Sequence, residues 1–71
     1  MLIDYKRKGD ILIVNFNGEL DHHHADKVRK SLDKQLMDTS IRHLILNLRN
    51  LHFMDSSGIG VFIGRYKTIN K

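Results

Sequence analysis

The fold is decided by the stretch NLRNLHFMDSSGIG, which occupies residues 47–60. Before it, the short aliphatic run at residues 41–46 (IRHLIL) is typical of a strand buried on both faces. After it, apolar residues recur at helical spacing: Ile59, Phe62, Ile63, Tyr66 and Ile69. Asp55–Gly58 is therefore predicted to be the point where a strand ends and a helix begins. Asp or Ser oxygens are favoured there because they accept bonds from the first free N–H groups.

Two strands and a helix are predicted ahead of this stretch. Leu2–Lys6 is interpreted as an edge strand, Lys8–Asp10 as a hairpin turn, and Ile11–Phe16 as a second strand that ends at the breaker Asn17-Gly18. Alternation places three side chains of the second strand on one face: Leu12, Val14 and Phe16. Asp21 is a candidate N-cap for the first helix, which ends at the polar cluster 38–40. This helix has a narrow apolar stripe: Ala25, Val28, Leu32 and Leu36.

The order β-β-α-β-α predicts an α/β fold, a mixed sheet with helices packed on it. The βαβ unit from Ile11 to Leu48 makes those two strands parallel. Functional loops of parallel sheets gather beyond the carboxyl ends of the strands. The loops that hold Asp21 and Ser56 each follow such an end, so we expect them to lie at the same end of the sheet.

Composition limits the classes of function. A chain of 71 residues with no cysteine makes one small domain without disulfides or thiolate metal sites. No apolar run is long enough for a membrane span and the N-terminus lacks the layout of a signal peptide, so we expect a cytoplasmic protein with no membrane partner. The net charge is +4, but the basic cluster Lys6-Arg7-Lys8 has no interleaved aromatic residues. We therefore expect no nucleic-acid partner.

Ser56 has three interpretations: a catalytic nucleophile, a phosphorylation site, or a helix-capping residue. A hydrolase serine requires a Gly-x-Ser-x-Gly elbow and an activating His–acid pair, and the elbow is absent. We therefore expect no catalytic residue. The capping role applies to either Ser56 or Ser57 and excludes neither of the other two.

Two further patterns suggest ligands. His22-His23-His24 suggests a metal, but successive helical residues point about 100° apart and cannot converge on one ion, so no metal or other cofactor is expected. Gly58, Gly60 and Gly64 do not have phosphate-loop spacing. Glycine inside a helix costs about 1 kcal/mol, which indicates close approach by another surface. We expect a partner at Gly60 and internal packing at Gly64.

Three segments resemble the anti-sigma factor antagonists of the STAS domain family, most closely its sporulation members, and they run in the family's order. They are residues 53–60 (FMDSSGIG), 18–23 (GELDHH) and 64–67 (GRYK). The resemblance implies a non-enzymatic module that binds an anti-sigma factor with serine kinase activity and so releases the sigma factor. It also implies that phosphorylation of Ser56 switches binding off and that a serine phosphatase restores it.

The resemblance places the partner surface at the predicted turn. It comprises six residues: Asp21, Asp55, Ser56, Ser57, Gly58 and Gly60. Two alternatives remain open, a STAS-type regulatory domain that senses a small molecule or nucleotide, and an enzyme centred on Ser56. Family members usually continue well beyond this length. We therefore expect residues 1–71 to be a single STAS-like domain truncated at its C-terminus, with an uncovered sheet edge that favours self-association.

Overall fold

A computed structural model describes residues 1–69 of the chain. It contains β1 (Leu2–Lys8), β2 (Ile11–Leu20), α1 (His22–Leu36), β3 (His43–Met54) and α2 (Ser56–Ile69). The strands lie in the order β1-β2-β3, with β1 antiparallel and β3 parallel to β2. The predicted mixed α/β fold and the parallel βαβ unit are confirmed. None of the helices within residues 1–69 has the length and hydropathy that crossing a membrane requires.

The hairpin between β1 and β2 turns at Gly9, whose φ of 62° lies in the left-handed region that glycine adopts at little cost. The prediction that β2 ends at Asn17-Gly18 is wrong, because the strand continues to Leu20. Its register against β3 shifts between Asn15 and Asn17 and again after Gly18, which has a φ of 120°. The glycine is accommodated in an irregularity of the ladder rather than ending the strand.

The core lies between one face of the sheet and the two helices. Its buried members are Leu12, Val14, Phe16, Leu20, Ala25, Val28, Leu32, Ile41 and Val61. The rings of Phe16 and Phe62 are tilted by 59° with centroids 5.5 Å apart, which joins β2 to α2. The predicted alternation of β2 and the apolar stripe of α1 are confirmed, although Leu36 is only partly buried.

The third strand is not buried on both faces, contrary to the sequence prediction. Leu44 and Leu46 pack towards the helices, but Ile45 points away from them and keeps 49% of its surface exposed. Both helices cover the same face of the sheet, so alternate residues of β3 face solvent. Within residues 1–69 no strand pairs with the second edge of β3.

The second helix buries only part of the predicted stripe: Phe62 and Ile69 pack against the core, whereas the other members are exposed. Ile59, Ile63 and Tyr66 are 47%, 51% and 65% exposed, whereas Gly58 and Val61 are buried. α2 carries apolar residues around much of its circumference, so periodicity alone did not select the inward face. The close approach of Gly58 to β2 selects it, as described below.

Arg7 ties the β1–β2 hairpin to the loop that precedes β3. Its Nε donates to Gly9 O at 2.7 Å, Nη1 to Asp38 Oδ2 at 2.8 Å, and Nη2 to Ser40 Oγ at 2.6 Å. The predicted basic cluster is therefore partly engaged within the protein. The hydrogen bonds from Ser40 and Arg7 lower the pKa of Asp38 to about 2.

This pKa shift predicts a pH dependence of stability. A carboxyl whose pKa is lower in the folded state stabilises the protein above its unfolded pKa, and the contribution is lost as the pH falls through the folded pKa. We expect the wild type to be more stable than Asp38→Asn at pH 6, and the gap to shrink between about pH 4 and pH 2. Urea denaturation of both proteins across this range is the measurement. A gap that stays constant down to pH 2 contradicts the assignment.

Candidate functional site: a turn where two helices begin

The Asp55 carboxylate joins the N-termini of both helices. Its Oδ1 accepts hydrogen bonds from the backbone N–H of Ser57 at 2.9 Å and of Gly58 at 3.4 Å, which caps α2. Its Oδ2 accepts from the backbone N–H of His22 at 3.0 Å, at the first residue of α1. One side chain therefore satisfies donors of two helices and lies at the positive end of both dipoles.

The backbone brings these two helix starts together. β2 and β3 are parallel and finish in register, with Leu20 opposite Met54. The N–H of Asp55 donates to Leu20 O at 3.4 Å, which extends the pairing by one residue. The prediction that the loops of Asp21 and Ser56 lie at the same end of the sheet is confirmed by the bond between His22 and Asp55.

Asp21 is the N-cap of α1, as predicted. Its Oδ1 accepts from the backbone N–H groups of His23 at 3.0 Å and His24 at 3.1 Å. The Nδ1 of the His24 ring lies 2.8 Å from the same oxygen. Burial acts to raise the pKa of Asp21, but the hydrogen bonds from His24 and His23 outweigh it and hold that pKa below its ordinary value.

Neither serine caps α2, because Asp55 holds that position. This corrects the expectation that Ser56 or Ser57 does so. Ser56 is the first residue of α2 and its side chain is exposed, while Ser57 is half-buried. The Ser56 hydroxyl makes no hydrogen bond within the described part of the chain. It is therefore exposed to solvent at a helix start.

The glycines of α2 differ in role. A Cβ on Gly58 would lie 2.6 Å from Met54 Cγ and 2.9 Å from Leu20 Cγ, so this residue must be glycine for the helix to approach the sheet. Gly58 is buried beneath the turn rather than displayed on its surface. A Cβ on Gly60 or Gly64 would meet no atom within 4 Å. Close packing therefore does not require a glycine at position 64, contrary to the expectation.

A groove of about 320 Å³ runs between α1 and α2 beside the turn. Its lining comes from both helices: His22, Ala25, Asp26, Arg29, Ser57, Gly60 and Val61. Arg29 is already paired, with Nη2 at 2.6 Å from Asp26 Oδ1. The groove reaches the turn through His22 and Ser57, and its surface is concave.

The histidine triplet is spread around the start of α1. The rings of His22 and His23 are exposed with centroids 5.9 Å apart, and His24 turns towards Asp21. Among residues 1–69 no group of three or more histidine and carboxylate side chains is placed to hold a metal ion. The arrangement supports capping of α1 by Asp21, whose Oδ1 also contacts the His24 ring.

Sequence reasoning brought Asp21, Asp55 and Ser56 to one place but missed the bridge made by Asp55. The bridge could have been predicted from the sequence, because Asp55 directly follows one parallel strand and the start of α1 directly follows the neighbouring strand. The α1–α2 groove had no comparable signal, because it depends on how the two helices are rotated.

The chain matches the STAS domain model over residues 3–71. It is 48% identical over 69 residues to an anti-sigma F factor antagonist of Paenibacillus polymyxa, covering 97% of this chain and 59% of the relative. The solved structure of the anti-sigma factor antagonist SpoIIAA in its unphosphorylated form superposes with a TM-score of 0.81 at 27% identity, covering 97% of this chain and 64% of that one. The structure of the Bacillus cell fate determinant SpoIIAA in its phosphorylated form superposes with a TM-score of 0.79 at 27% identity, covering 97% of this chain and 63% of that one. The chain thus spans less than two thirds of the length of each of these three proteins.

Removing the Asp55 carboxylate is expected to destabilise the fold through both helices. Asp55→Ala loses three accepted hydrogen bonds and should lower the free energy of unfolding by about 2 to 3 kcal/mol. The free energy of unfolding of Asp55→Asn should lie between those of the wild type and Asp55→Ala. Its side-chain oxygen can still cap α2, but its NH₂ group cannot accept a hydrogen bond from His22. Asp21→Ala, which uncaps α1 alone, is the matched control. Urea denaturation measures the losses, and amide hydrogen exchange locates them: Asp55→Ala should speed exchange in the first turns of both helices, and Asp21→Ala in the first turn of α1 only. Faster exchange confined to α2 in Asp55→Ala would mean that Asp55 acts on one helix only.

Proposed function

The chain belongs to the STAS domain family, and we propose that it is an anti-sigma factor antagonist whose partner binding is switched off by phosphorylation of Ser56. The observation that carries the proposal is that Asp55 and Ser56 have different roles at the turn. Asp55 takes the capping role, and the neighbouring Ser56 is left exposed at the start of α2. The similarity to antagonists of anti-sigma F factor, and to SpoIIAA in both of its forms, supports the same function.

The exposed hydroxyl of Ser56 is well placed to accept a phosphate group from a kinase. A kinase must reach the hydroxyl in its own active site, and an exposed residue on the first turn of a helix is accessible without unfolding. A phosphate brings a charge of about −1.5 to −2, which the positive end of α2 tolerates. Asp55 already occupies the N–H groups of Ser57 and Gly58. The phosphate therefore projects outward, and the protein keeps its fold while its surface changes.

The same phosphate opposes binding of a partner. The proposed partner is an anti-sigma factor with serine kinase activity, which covers the turn around Ser56 when the hydroxyl is neutral. A phosphate there must be desolvated against a surface shaped for a hydroxyl, next to the carboxylate of Asp55. Loss of a few kcal/mol reduces affinity by about two orders of magnitude, at roughly 1.4 kcal/mol for each tenfold change. A serine phosphatase restores the neutral form.

The six proposed partner-binding residues contribute in different ways. Ser56 and Gly60 are exposed and provide direct contact area, and Ser57 lines the adjoining groove. Asp21 and Asp55 use their carboxylates to cap helices, so we assign them the positioning of the surface and only partial contact with a partner. Gly58 acts indirectly, because it is buried and sets the distance between α2 and the sheet.

We propose a binding module rather than an enzyme, acting in the cytoplasm where sigma factors act. In the described residues no general base is hydrogen-bonded to Ser56, which favours a phosphate acceptor over a nucleophile.

Ser56 is expected to take a single phosphate from ATP in the presence of the partner kinase. Ser56→Ala should take none, and Ser57→Ala, the matched control one residue away, should be modified nearly as well as the wild type. Tandem mass spectrometry locates the group. A phosphate on Ser57 or Thr39 in the wild type would refute the assignment.

Ser56→Asp tests whether charge is the switch. Stability should stay equal or rise by roughly 0.3 to 1 kcal/mol, because an acidic residue suits a helix start. Affinity for the kinase should fall, by less than phosphorylation produces, since Asp carries less charge. Calorimetric titration measures binding, and circular dichroism serves as the fold control. Unchanged affinity in a folded Ser56→Asp protein would exclude charge repulsion as the mechanism.

Gly60→Ala separates partner contact from internal packing, with Gly64→Ala as its control. Both positions have room for a Cβ, so each variant should be more stable by up to about 1 kcal/mol. Gly60→Ala should nevertheless bind the kinase more weakly, because its methyl group enters the partner surface next to Ser57, whereas Gly64→Ala, one turn further along the helix, should bind as the wild type does. Equal affinity for all three proteins would remove Gly60 from the interface.

A further inference from the structure

The groove between α1 and α2 has an interhelical ion pair at the end away from the turn. On α2, Ser57 and Val61 line the groove at i and i+4, and the next residue in this row is Arg65. On α1, Arg29 lines the groove and Asp33 follows it at i+4. Arg65 Nε lies 3.0 Å from Asp33 Oδ1, so the two rows meet there. The pair therefore marks the end of the groove opposite the turn.

The burial of Arg65 is not matched by its hydrogen bonding. Its side chain is 11% exposed, whereas that of Asp33 is 42% exposed. Within residues 1–69 the Nε and Nη1 atoms of Arg65 are buried and make no hydrogen bond. A buried ion pair adds little net stability, because the cost of removing the charges from water offsets their attraction. An apolar side chain of similar length would fill the same space without leaving two donors unpaired. Stability alone is therefore a poor reason for an arginine at this position.

The ion pair acts in a direction that the apolar contacts of α2 do not control. Gly58 lets the start of α2 approach the sheet, and the Phe62 ring packs on Phe16 of β2 with centroids 5.5 Å apart. Both contacts hold the helix to the sheet, and neither sets its distance from α1. Arg65 reaches across that gap to Asp33, and the attraction of the two charges opposes their separation. The pair thus fixes the spacing and the rotation of the two helices at the end opposite the turn.

Asp33 also connects the pair to the lining of the groove. Its Oδ2 lies 3.7 Å from Arg29 Nη1, and Arg29 Nη2 lies 2.6 Å from Asp26 Oδ1. Asp26 Oδ2 in turn lies 3.1 Å from Lys30 Nζ. Since Arg29 and Asp26 line the groove, a change at Arg65 reaches the groove through charged contacts as well as through the helix positions.

We propose that Arg65 is a positioning residue for partner binding, an inference that rests on the function proposed above. Held by Asp33, it keeps α2 at the distance and rotation from α1 that place Ser56 and Gly60 on one partner surface. Arg65 does not touch the hydroxyl that is phosphorylated, because nine residues of helix place it about 14 Å from Ser56 along the axis. Its loss therefore weakens docking of the partner and leaves the transfer of the phosphate unchanged.

The test compares Arg65→Met and Arg65→Lys with the wild type, using the partner kinase, an anti-sigma factor with serine kinase activity. Calorimetric titration should show about tenfold weaker binding for Arg65→Met. In steady-state phosphorylation of Ser56, the KM of Arg65→Met should rise by a similar factor while kcat stays unchanged. Arg65→Lys keeps the charge next to Asp33 and should recover part of the affinity.

The double variant Asp33→Asn/Arg65→Met separates positioning from stability. Asp33→Asn alone leaves a buried guanidinium without its counter-charge and should unfold at a lower urea concentration than the wild type. The double variant removes both charges, and its midpoint should return to that of the wild type, while its affinity stays about tenfold lower. Asp38→Asn is the matched control, because it breaks the ion pair with Arg7 at the hairpin, and it should bind as the wild type does.

Three results would overturn the inference while the wild type still binds the kinase and is phosphorylated on Ser56. They are wild-type affinity in the folded double variant, a fall in kcat at unchanged KM in Arg65→Met, and an equal loss of affinity in Asp38→Asn. Circular dichroism checks that each variant is folded. A wild-type protein that does not bind the kinase would instead overturn the proposed function, and this inference with it.

Discussion

The arrangement of this protein depends on one carboxylate shared by two helices. A helix start leaves N–H groups without partners, and two starts at the same end of a parallel sheet leave two such sets close together. Asp55 accepts from both sets, with bonds of 2.9 to 3.4 Å to α2 and 3.0 Å to α1. It sits where the two helix dipoles are positive, so charge and hydrogen bonding favour the same position.

This sharing is compatible with the phosphorylation switch that we propose at Ser56. Because Asp55 and Asp21 accept hydrogen bonds from the backbone N–H groups at the helix starts, Ser56 does not cap a helix and its hydroxyl is exposed. Gly58 brings α2 against Leu20 and Met54 at the same turn, which holds the helix start in place. A charge added to Ser56 therefore alters the surface while the contacts beneath it remain, as our proposal of a phosphorylation switch requires.

Other ionic contacts stabilise parts of the fold away from the turn. Arg7 joins the hairpin to the loop before β3 through Gly9, Asp38 and Ser40. Further along α2, Arg65 is largely buried and places its Nε 3.0 Å from Asp33 Oδ1 of α1, an ion pair without hydrogen-bond geometry. The two helices are thus connected at their starts by Asp55 and further along by Arg65. Between these points lies the groove beside Ser57 and Gly60.

The sequence by itself determined the order of elements, the parallel pairing of β2 and β3, the cap at Asp21 and the placing of Ser56 at a helix start. These features follow from local signals: alternation, helical spacing, and Asp or Gly at turns. Tertiary structure alone decided that β2 passes through Gly18, that only one face of β3 is covered, and which face of α2 packs. A bulge, the side of the sheet on which helices lie, and the rotation of a helix with apolar residues on several faces all depend on contacts between distant segments. The exposure of Ile59 and Ile63 shows this most clearly, because their spacing matched a buried stripe while the approach of Gly58 to Leu20 turned only part of that stripe inward.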